Sequence, residues 1–315
     1  MISILIEGLI FGIMVLGVFM SYRVLNFCDM TVDGAFPMGA CIFGACFVAG
    51  MNPYLALLLA FLGGMLAGLC TTVIYTKLKI PDLLSGILMM TILYSISLRI
   101  AGKANISFHN VKKIITVPDG NGGVQEIVKE LKTPFQQITE FFAEKFPSLP
   151  SELGVLLILV VFIILLKFLM DLFYHTDLGL TMGALGDNQQ MIVSQGVNPQ
   201  IVRGIGVCIG DGLAAVSGAF FAMYSGFADV GSGTGVIVSG LASLMLGEFI
   251  IRSNKISLQT LRVLIGSIIY RGLMYLARSY GYLINLKADD LKLITGVLII
   301  VCLIISKAGK KRNEQ

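Results

Sequence analysis

Apolar and polar positions alternate along this chain in long blocks, with short polar connections between apolar segments. Because about 20 apolar residues are needed for a helix to cross the hydrocarbon core of a bilayer, these blocks predict transmembrane helices, and the shorter ones predict tilted or re-entrant helices. We predict an all-α polytopic membrane protein with about nine such helices. The predicted helices cover residues 4–20, 37–50, 54–75, 81–100, 153–170, 200–224, 236–251, 257–276 and 291–306.

Two stretches interrupt the apolar pattern. Before the second segment, Pro37 fits the start of a helix, so residues 26–36 are predicted to be irregular. Residues 102–151 are rich in charges and prolines. Within them, the helical spacing over 124–145, broken at Pro134, predicts a small two-helix cap outside the bilayer.

These boundaries divide the chain into two transmembrane halves, a loop subdomain and a tail. Basic residues in short connections mark the cytoplasmic side of a bilayer, and Arg23, Lys77 and Lys79 agree with the basic tail if the N-terminus is outside. We therefore predict a multi-pass protein of the cell membrane with a cytoplasmic C-terminus. The predicted units are an N-terminal transmembrane half at 1–101, an extracellular loop subdomain at 102–151, a C-terminal transmembrane half at 152–306 with a cytoplasmic helix near 187–196, and a cytoplasmic basic tail at 307–315.

Composition agrees with a membrane protein. Of the residues, 56% are hydrophobic and 13% are charged, and the mean hydropathy is +0.87. Soluble domains carry about 25% charged residues. The net charge of +4 does not indicate nucleic-acid binding. The 36 glycines predict close helix packing, as at Gly64 with Gly68 and at Gly206 with Gly210.

Sequence patterns of catalytic and metal sites are missing. The sequence contains no GxxxxGK[ST], HExxH or GxSxG motif. Its six cysteines lie in or beside apolar segments without a CxxC pair, so we interpret them as packing residues. His109 and His175 are far apart in sequence, which argues against a histidine metal cluster. We predict that the chain is not an enzyme and binds no metal or cofactor itself.

A short polar segment at residues 180–199 has the pattern of a small helix between two apolar segments. Asp187 is predicted to be its N-cap, and Gln190 three residues later completes a capping box. Gly196 suits the position after the helix end. The apolar side of this helix consists of Met191, Ile192 and Val193. The pattern fits either a solvated loop helix or a docking helix that enters a groove on a soluble partner.

The same segment resembles a known motif with the spacing G-x-N-x7-G-[IV]. The residues that carry it are Gly186, Asn188, Gly196 and Val197. It is similar to the cytoplasmic coupling segment of permease subunits from ABC importers of the branched-chain amino acid, ribose and nucleoside type, closest to a subgroup linked to amino-acid uptake, including tryptophan. The chain departs from the wider family at Gly183, where arginine is common, and at Gln190 and Met191, where two alanines are common. The similarity extends over residues 8–100 and 152–306.

This resemblance implies a function and a set of partners. It implies the permease subunit of an ATP-driven importer that moves a small polar solute, an amino acid with aromatic ones included, delivered by an extracellular substrate-binding lipoprotein. It also implies a separate ABC ATPase subunit that binds ATP and magnesium, a second permease copy in a homodimer, and no nucleic acid. The implied coupling residues are Gly186, Asp187, Asn188, Gln190, Met191, Ile192 and Gly196.

An internal similarity predicts an inverted-repeat core. The triplet 27–29 (Phe-Cys-Asp) precedes the second apolar segment, and the triplet 227–229 (Phe-Ala-Asp) precedes the seventh. In the predicted topology they lie on opposite sides of the membrane, as in transporters with broken helices around a central path.

Acidic residues within membrane segments are costly unless they are paired or solvated. The polar residues before the second segment fit two roles: they cap exposed backbone N–H groups, or they line an inner vestibule, where irregular backbone is tolerated against a wet cavity. The residues predicted for the translocation pathway are Asn26, Asp29, Thr31, Asp33, Phe227 and Asp229.

A further acid, Asp211, lies between two glycines in the sixth segment. We expect it to pair with a cation such as Arg99 or Arg271, or to hydrogen-bond a neighbouring helix. The acids keep a second function open, an ion-coupled secondary transporter that uses Asp29, Asp33 and Asp211 as proton or sodium sites. That alternative leaves the polar helix without a role.

Overall fold

The structure, a computed structural model, describes residues 2–109, 112–118, 124–147, 150–251, 253, 255–280, 296–297 and 300–301. The helices are α1 (Ile2–Val18), α2 (Val32–Val48), α3 (Pro53–Leu78), α4 (Asp82–Ala101), α5 (Pro134–Lys145), α6 (Leu153–Tyr174), α7 (Asp177–Asp187), α8 (Gln189–Ser194), α9 (Pro199–Ser225), α10 (Val236–Ile250) and α11 (Ile256–Tyr280). The strands are β1 (Asn105–Ser107), β2 (Lys112–Pro118), β3 (Val124–Glu130) and β4 (Phe227–Asp229). A π-helical turn, Phe19–Val24, extends α1, and a 3₁₀ turn, Val230–Gly233, precedes α10.

Seven helices in the described part of the chain are long and apolar enough to cross a membrane, and α2 is a shorter apolar helix. The prediction of an all-α polytopic membrane protein is confirmed. The predicted ninth segment at 291–306 lies largely outside the described residues, and the basic tail at 307–315 lies wholly outside them.

Small residues bring the central helices into close contact. Where α1 crosses α9, a Cβ atom on Gly17 would overlap the backbone carbonyl of Gly210. On one side, α3 packs against α9 through Gly64 and Gly68, and on the other side α11 packs against α1 at Gly8. Glycine at such crossings allows helix backbones to approach within van der Waals distance. The predicted glycine packing faces are confirmed.

The second helix begins earlier than predicted. It starts at Val32, so the irregular segment before it ends at residue 31, and Pro37 lies inside the helix. A proline within a helix has no N–H to donate to the carbonyl four residues before it, which here is Asp33. The carbonyl of Asp33 instead lies against Gly233, which has no side chain to exclude it.

The prediction of a two-helix cap at 124–145 is wrong in its first half. Residues 124–130 form β3, which pairs with β2 as an antiparallel hairpin in the register Lys112 to Glu130. Only α5 is helical, and Thr133 and Gln136 start it with a reciprocal capping box. The segment VQEIVKE has three β-branched residues, Val124, Ile127 and Val128, which favour a strand, and this preference outweighs its helical spacing.

Two peripheral elements lie at opposite ends of α9. Phe135 of α5 stacks on Phe220 near the C-terminal end of α9, with ring centroids 5.8 Å apart. Arg203, near the N-terminal end, contacts α8. Because a helix rises 1.5 Å per residue, the two contacts are about 26 Å apart along α9, close to the thickness of the hydrocarbon core of a bilayer.

Candidate functional site

The N-terminal ends of the two short helices α2 and α10 meet inside the bundle. The Asp33 carboxylate, in the first turn of α2, accepts hydrogen bonds from the backbone N–H groups of Gly235 (3.0 Å) and Ile237 (2.6 Å) at the start of α10. An aspartate at a helix N-terminus satisfies unpaired N–H groups and complements the helix dipole. Asp33 therefore joins the two halves of the chain, and it caps a helix other than its own.

The same local structure precedes both short helices. Asp29 Oδ1 accepts a hydrogen bond from the N–H of Thr31, and Asp229 Oδ1 accepts one from the N–H of Gly231, each at 3.0 Å. In both cases the aspartate binds the backbone two residues further on, which is an Asx turn. The two similar triplets in the sequence therefore form similar turns.

The two short helices run in opposite directions. In the last part of α2, Gly44 lies beside Ala228, which precedes α10. Near the end of α10, Glu248 forms ion pairs with Arg262 (2.8 Å) and with Arg23 (3.0 Å), which precedes α2. Short helices that enter from opposite ends and meet at their N-termini are typical of inverted repeats with discontinuous helices.

The remaining residues predicted for the pathway lie in different environments. Thr31 is fully buried, and its hydroxyl is 2.7 Å from that of Thr71 in α3. Asn26 is exposed and has a positive φ of 50°. Phe227 is exposed in β4, which pairs with β1 at the opposite end of the bundle. The structure therefore separates Phe227 from the polar residues that precede α2.

The polar helix is present, but its start differs from the prediction. Asp187 is the last residue of α7, and Asn188 is the N-cap of α8, because its Oδ1 accepts hydrogen bonds from the N–H groups of Gln190 (3.0 Å) and Met191 (3.3 Å). The predicted capping box at Asp187 is therefore wrong by one residue. Gly196 follows the helix with a φ of +79°, as predicted.

The apolar side of α8 is divided between the bundle and the outside. Ile192 is 2% exposed and packs in a cluster with residues of the segment before α2, of α7 and of α9. Met191 and Val193 are 51% and 53% exposed. The prediction that Ile192 itself contacts a partner is corrected: its side chain anchors the helix, whereas its two neighbours are available for contact.

A chain of polar and aromatic contacts connects α8 to the segment before α2, and the sequence analysis did not identify it. Arg203 donates hydrogen bonds to Gln189 Oε1 (2.9 Å) and to the Tyr75 hydroxyl (2.8 Å). The Tyr75 ring packs edge-on against Phe27, with centroids 5.3 Å apart. On α7, a Cβ atom at Gly186 would overlap the carbonyl of Val24. Both helices therefore contact the entry to α2.

The predicted pairing of Asp211 with arginine is wrong. Arg271 lies over the ring of Phe11 at 3.3 Å and pairs with Glu7 at 3.7 Å. Arg99 is exposed near the end of α4. Within the described residues, neither carboxylate oxygen of Asp211 has a hydrogen-bond partner.

This arrangement of half-helices and a polar helix agrees with a family match. The model of the branched-chain amino acid transport system permease component matches residues 1–304. The chain belongs to this permease family. As a permease subunit, it is a multi-pass membrane protein and not itself an enzyme. The tyrosine transport system permease protein of Clostridioides difficile (strain R20291) is 38% identical to it over 302 residues, which cover 96% of this chain and 90% of that protein.

Two other proteins have lower sequence identity to this chain. An uncharacterised protein of Rickettsia prowazekii (strain Madrid E) is 28% identical over 305 residues, which cover 96% of each chain. The autoinducer 2 import system permease protein LsrC of Escherichia coli (strain K12 / DH10B) is 27% identical over 219 residues, which cover 70% of this chain and 55% of LsrC. No solved structure matches this permease.

Proposed function

We propose that this permease is the membrane subunit of an ATP-driven importer of an amino acid, with aromatic amino acids such as tyrosine as the first candidates. The family description refers to branched-chain amino acid transport, and the 38% identical relative is a tyrosine transport permease. The proposed assembly contains two copies of this chain, two ABC ATPase subunits that bind ATP and magnesium, and an extracellular lipoprotein that delivers the substrate.

The observation that carries the proposal is the exposed side of α8. This helix is fixed to the bundle by Ile192 and by the hydrogen bond from Arg203 to Gln189, yet Met191 and Val193 remain about half exposed. A helix that is rigidly held and presents apolar side chains suits insertion into a groove on another protein. We assign that groove to the ATPase subunit.

The contacts of α7 and α8 suggest how nucleotide binding reaches the pathway. When the ATPase subunits close, they displace α8, and Arg203 and Tyr75 transmit the displacement to Phe27. Gly186 of α7 is in direct contact with the backbone of Val24. Both routes end at the segment before α2, so closure shifts the balance between two arrangements of the half-helices.

Transport in proteoliposomes tests the proposal. The permease is reconstituted with the candidate ATPase and binding protein of its own genome, and uptake of radiolabelled tyrosine and leucine is measured. We expect uptake that requires ATP and the binding protein and does not respond to an imposed ion gradient. Uptake driven by a sodium or proton gradient without nucleotide would contradict the importer and support the secondary transporter.

The proposed orientation places α8 in the cytoplasm and α5 outside. On a background without native cysteines, Glu144→Cys in α5 is expected to react with an impermeant thiol reagent in intact cells. Ser194→Cys in α8 is expected to react only after the membrane is made permeable. Both positions are exposed, so burial does not explain a difference between them. If only Ser194→Cys is labelled in intact cells, the orientation is the opposite of the one proposed.

A further inference from the structure

Two aspartates form a buried pair between α9 and the segment before α2. Asp211 is 0% exposed and Asp29 is 2% exposed. Both lie against the same turn of α3, because Asp211 Oδ2 lies beside Gly68 and Thr31, which hydrogen-bonds Asp29, contacts Thr71. Asp29 Oδ1 accepts the hydrogen bond from Thr31. The other three carboxylate oxygens of the pair have no hydrogen-bond partner among the described residues.

Oxygen atoms and small residues surround the pair. The hydroxyls of Thr31 and Thr71 are 2.7 Å apart and fully buried, and Thr71 also donates to the carbonyl of Ala67 at 3.1 Å. Gly68 of α3 faces Asp211, since a Cβ atom built there would be 3.0 Å from Asp211 Oδ2. Of the other titratable side chains, Cys28 interacts with Asp29, and Cys208 interacts with both acids.

The ion pairs in the described part of the chain leave both acids without a cation. The lysines and arginines in those pairs have other acidic partners. Two carboxylates removed from water are strongly unfavourable unless a positive charge or hydrogen-bond donors compensate them. The start of α2 compensates Asp29 in part, because its carboxylate accepts the Thr31 N–H. Asp211 lies in the middle of α9, where every backbone N–H is already used by the helix.

The set of ligands indicates which ion fits. Carboxylate and hydroxyl oxygens are hard ligands, which select hard cations. Among the described residues, no three acidic, histidine or cysteine side chains are arranged so that they could hold a metal ion together, so a divalent ion lacks the usual number of charged ligands.

We propose that Asp29, Asp211, Thr31 and Thr71 bind one monovalent cation, sodium, between α3, α9 and the segment that leads into α2. The ion neutralises one of the two carboxylates and fixes the start of α2 against α9. Its role is to hold this junction together, and it does not drive transport. The site is independent of the identity of the transported solute.

Thermal unfolding of the full-length permease in detergent micelles tests the site. Circular dichroism is recorded while sodium chloride is replaced by choline chloride at constant total salt and constant pH. Because a ligand that binds only the folded state stabilises it, the melting temperature is expected to rise by about 2 °C or more for each tenfold increase in sodium above the dissociation constant. Asp211→Asn is expected to lose this response.

A matched control separates the ion from general effects of removing an acid. Asp171 of α6 is also an acid within a membrane helix, but Lys167 (2.5 Å) and Thr260 (2.6 Å) contact its carboxylate. Asp171→Asn is expected to keep the full response to sodium, whatever its melting temperature. If Asp211→Asn does not fold, Thr71→Val, which preserves the shape of the side chain, is expected to bind radioactive sodium more weakly than the wild type.

Three results would overturn the proposal. The first is a wild-type melting temperature that does not depend on sodium, together with no binding of radioactive sodium. The second is an unchanged sodium response in a folded Asp211→Asn variant, or unchanged sodium binding by Thr71→Val. The third is a melting temperature that responds to pH and not to sodium, which would assign the site to a proton.

Discussion

Replacing Met191 and Val193 together with glutamate is expected to release the ATPase subunit from the permease while the permease stays folded. Both side chains are about half exposed, so their replacement costs the isolated permease little. Burying an exposed apolar side chain contributes about 2 kcal/mol, and a carboxylate in the same place opposes binding. We therefore expect the affinity to fall about 100-fold or more, measured by binding of the purified ATPase to immobilised permease in nanodiscs.

The neighbouring residue Ile192 provides the control for this prediction. It is 2% exposed and packs inside the bundle, so Ile192→Ala is expected to reduce the stability of the permease itself by about 2 to 4 kcal/mol. The double glutamate variant is expected to unfold at the wild-type temperature. If it binds the ATPase as tightly as the wild type does, α8 is not the docking helix.

The sequence predicted α8 and its C-terminal end correctly, but it placed the N-terminal start one residue too early. Gly196 has a positive φ, a requirement that glycine meets without strain, and its position therefore marked the helix end correctly. Asp187 and Asn188 are both good N-caps, and the choice between them depends on α7, which takes Asp187 as its last residue. The start of α7 does have a local signal, because Thr176 is its N-cap and accepts a hydrogen bond from the N–H of Gly179, but the prediction did not use it.

Local sequence patterns predicted the transmembrane helices correctly, but they predicted the loop at residues 102–151 poorly. A long uninterrupted apolar segment such as α6, Leu153–Tyr174, is stable in a bilayer only as a helix, because every backbone group must be hydrogen-bonded within the segment. Residues 124–130 lie outside that constraint. There a short segment with both helical and strand character took the conformation that its pairing with β2 stabilises.

The contacts that define the candidate site join residues far apart in the chain, so local patterns could not reveal them. The capping of α10 by Asp33 spans 204 positions to Ile237, and the hydrogen bond from Arg203 to Tyr75 spans 128. The similarity of the triplets that end at Asp29 and Asp229 was the one local signal of this architecture. It predicted two similar turns, but not that the second half-helix would be capped by a residue of the first.

Replacing Asp33 with alanine is expected to abolish transport and to destabilise the permease. Its carboxylate is the acceptor for the N–H groups of Gly235 and Ile237, and each buried N–H left without a partner costs about 1 to 3 kcal/mol. The two halves of the chain would also lose the bond that aligns α2 with α10. We expect a loss of about 2 to 5 kcal/mol, measured as a lower melting temperature in detergent, and no uptake in proteoliposomes. Asp33→Asn keeps one acceptor oxygen and is expected to retain transport at a reduced rate.

The control for Asp33 is Asp229, an aspartate that caps backbone only within the turn before the other half-helix. Asp229 Oδ1 accepts one local hydrogen bond, from Gly231, in an exposed turn. Because water can replace that bond, Asp229→Ala is expected to cost about 1 kcal/mol or less. If Asp33→Ala and Asp229→Ala lower the free energy of unfolding equally, Asp33 acts only as a local cap. A larger loss at Asp33, with partial rescue by asparagine, is expected if its carboxylate holds the two half-helices together, because only that role depends on bonds between the two halves of the chain.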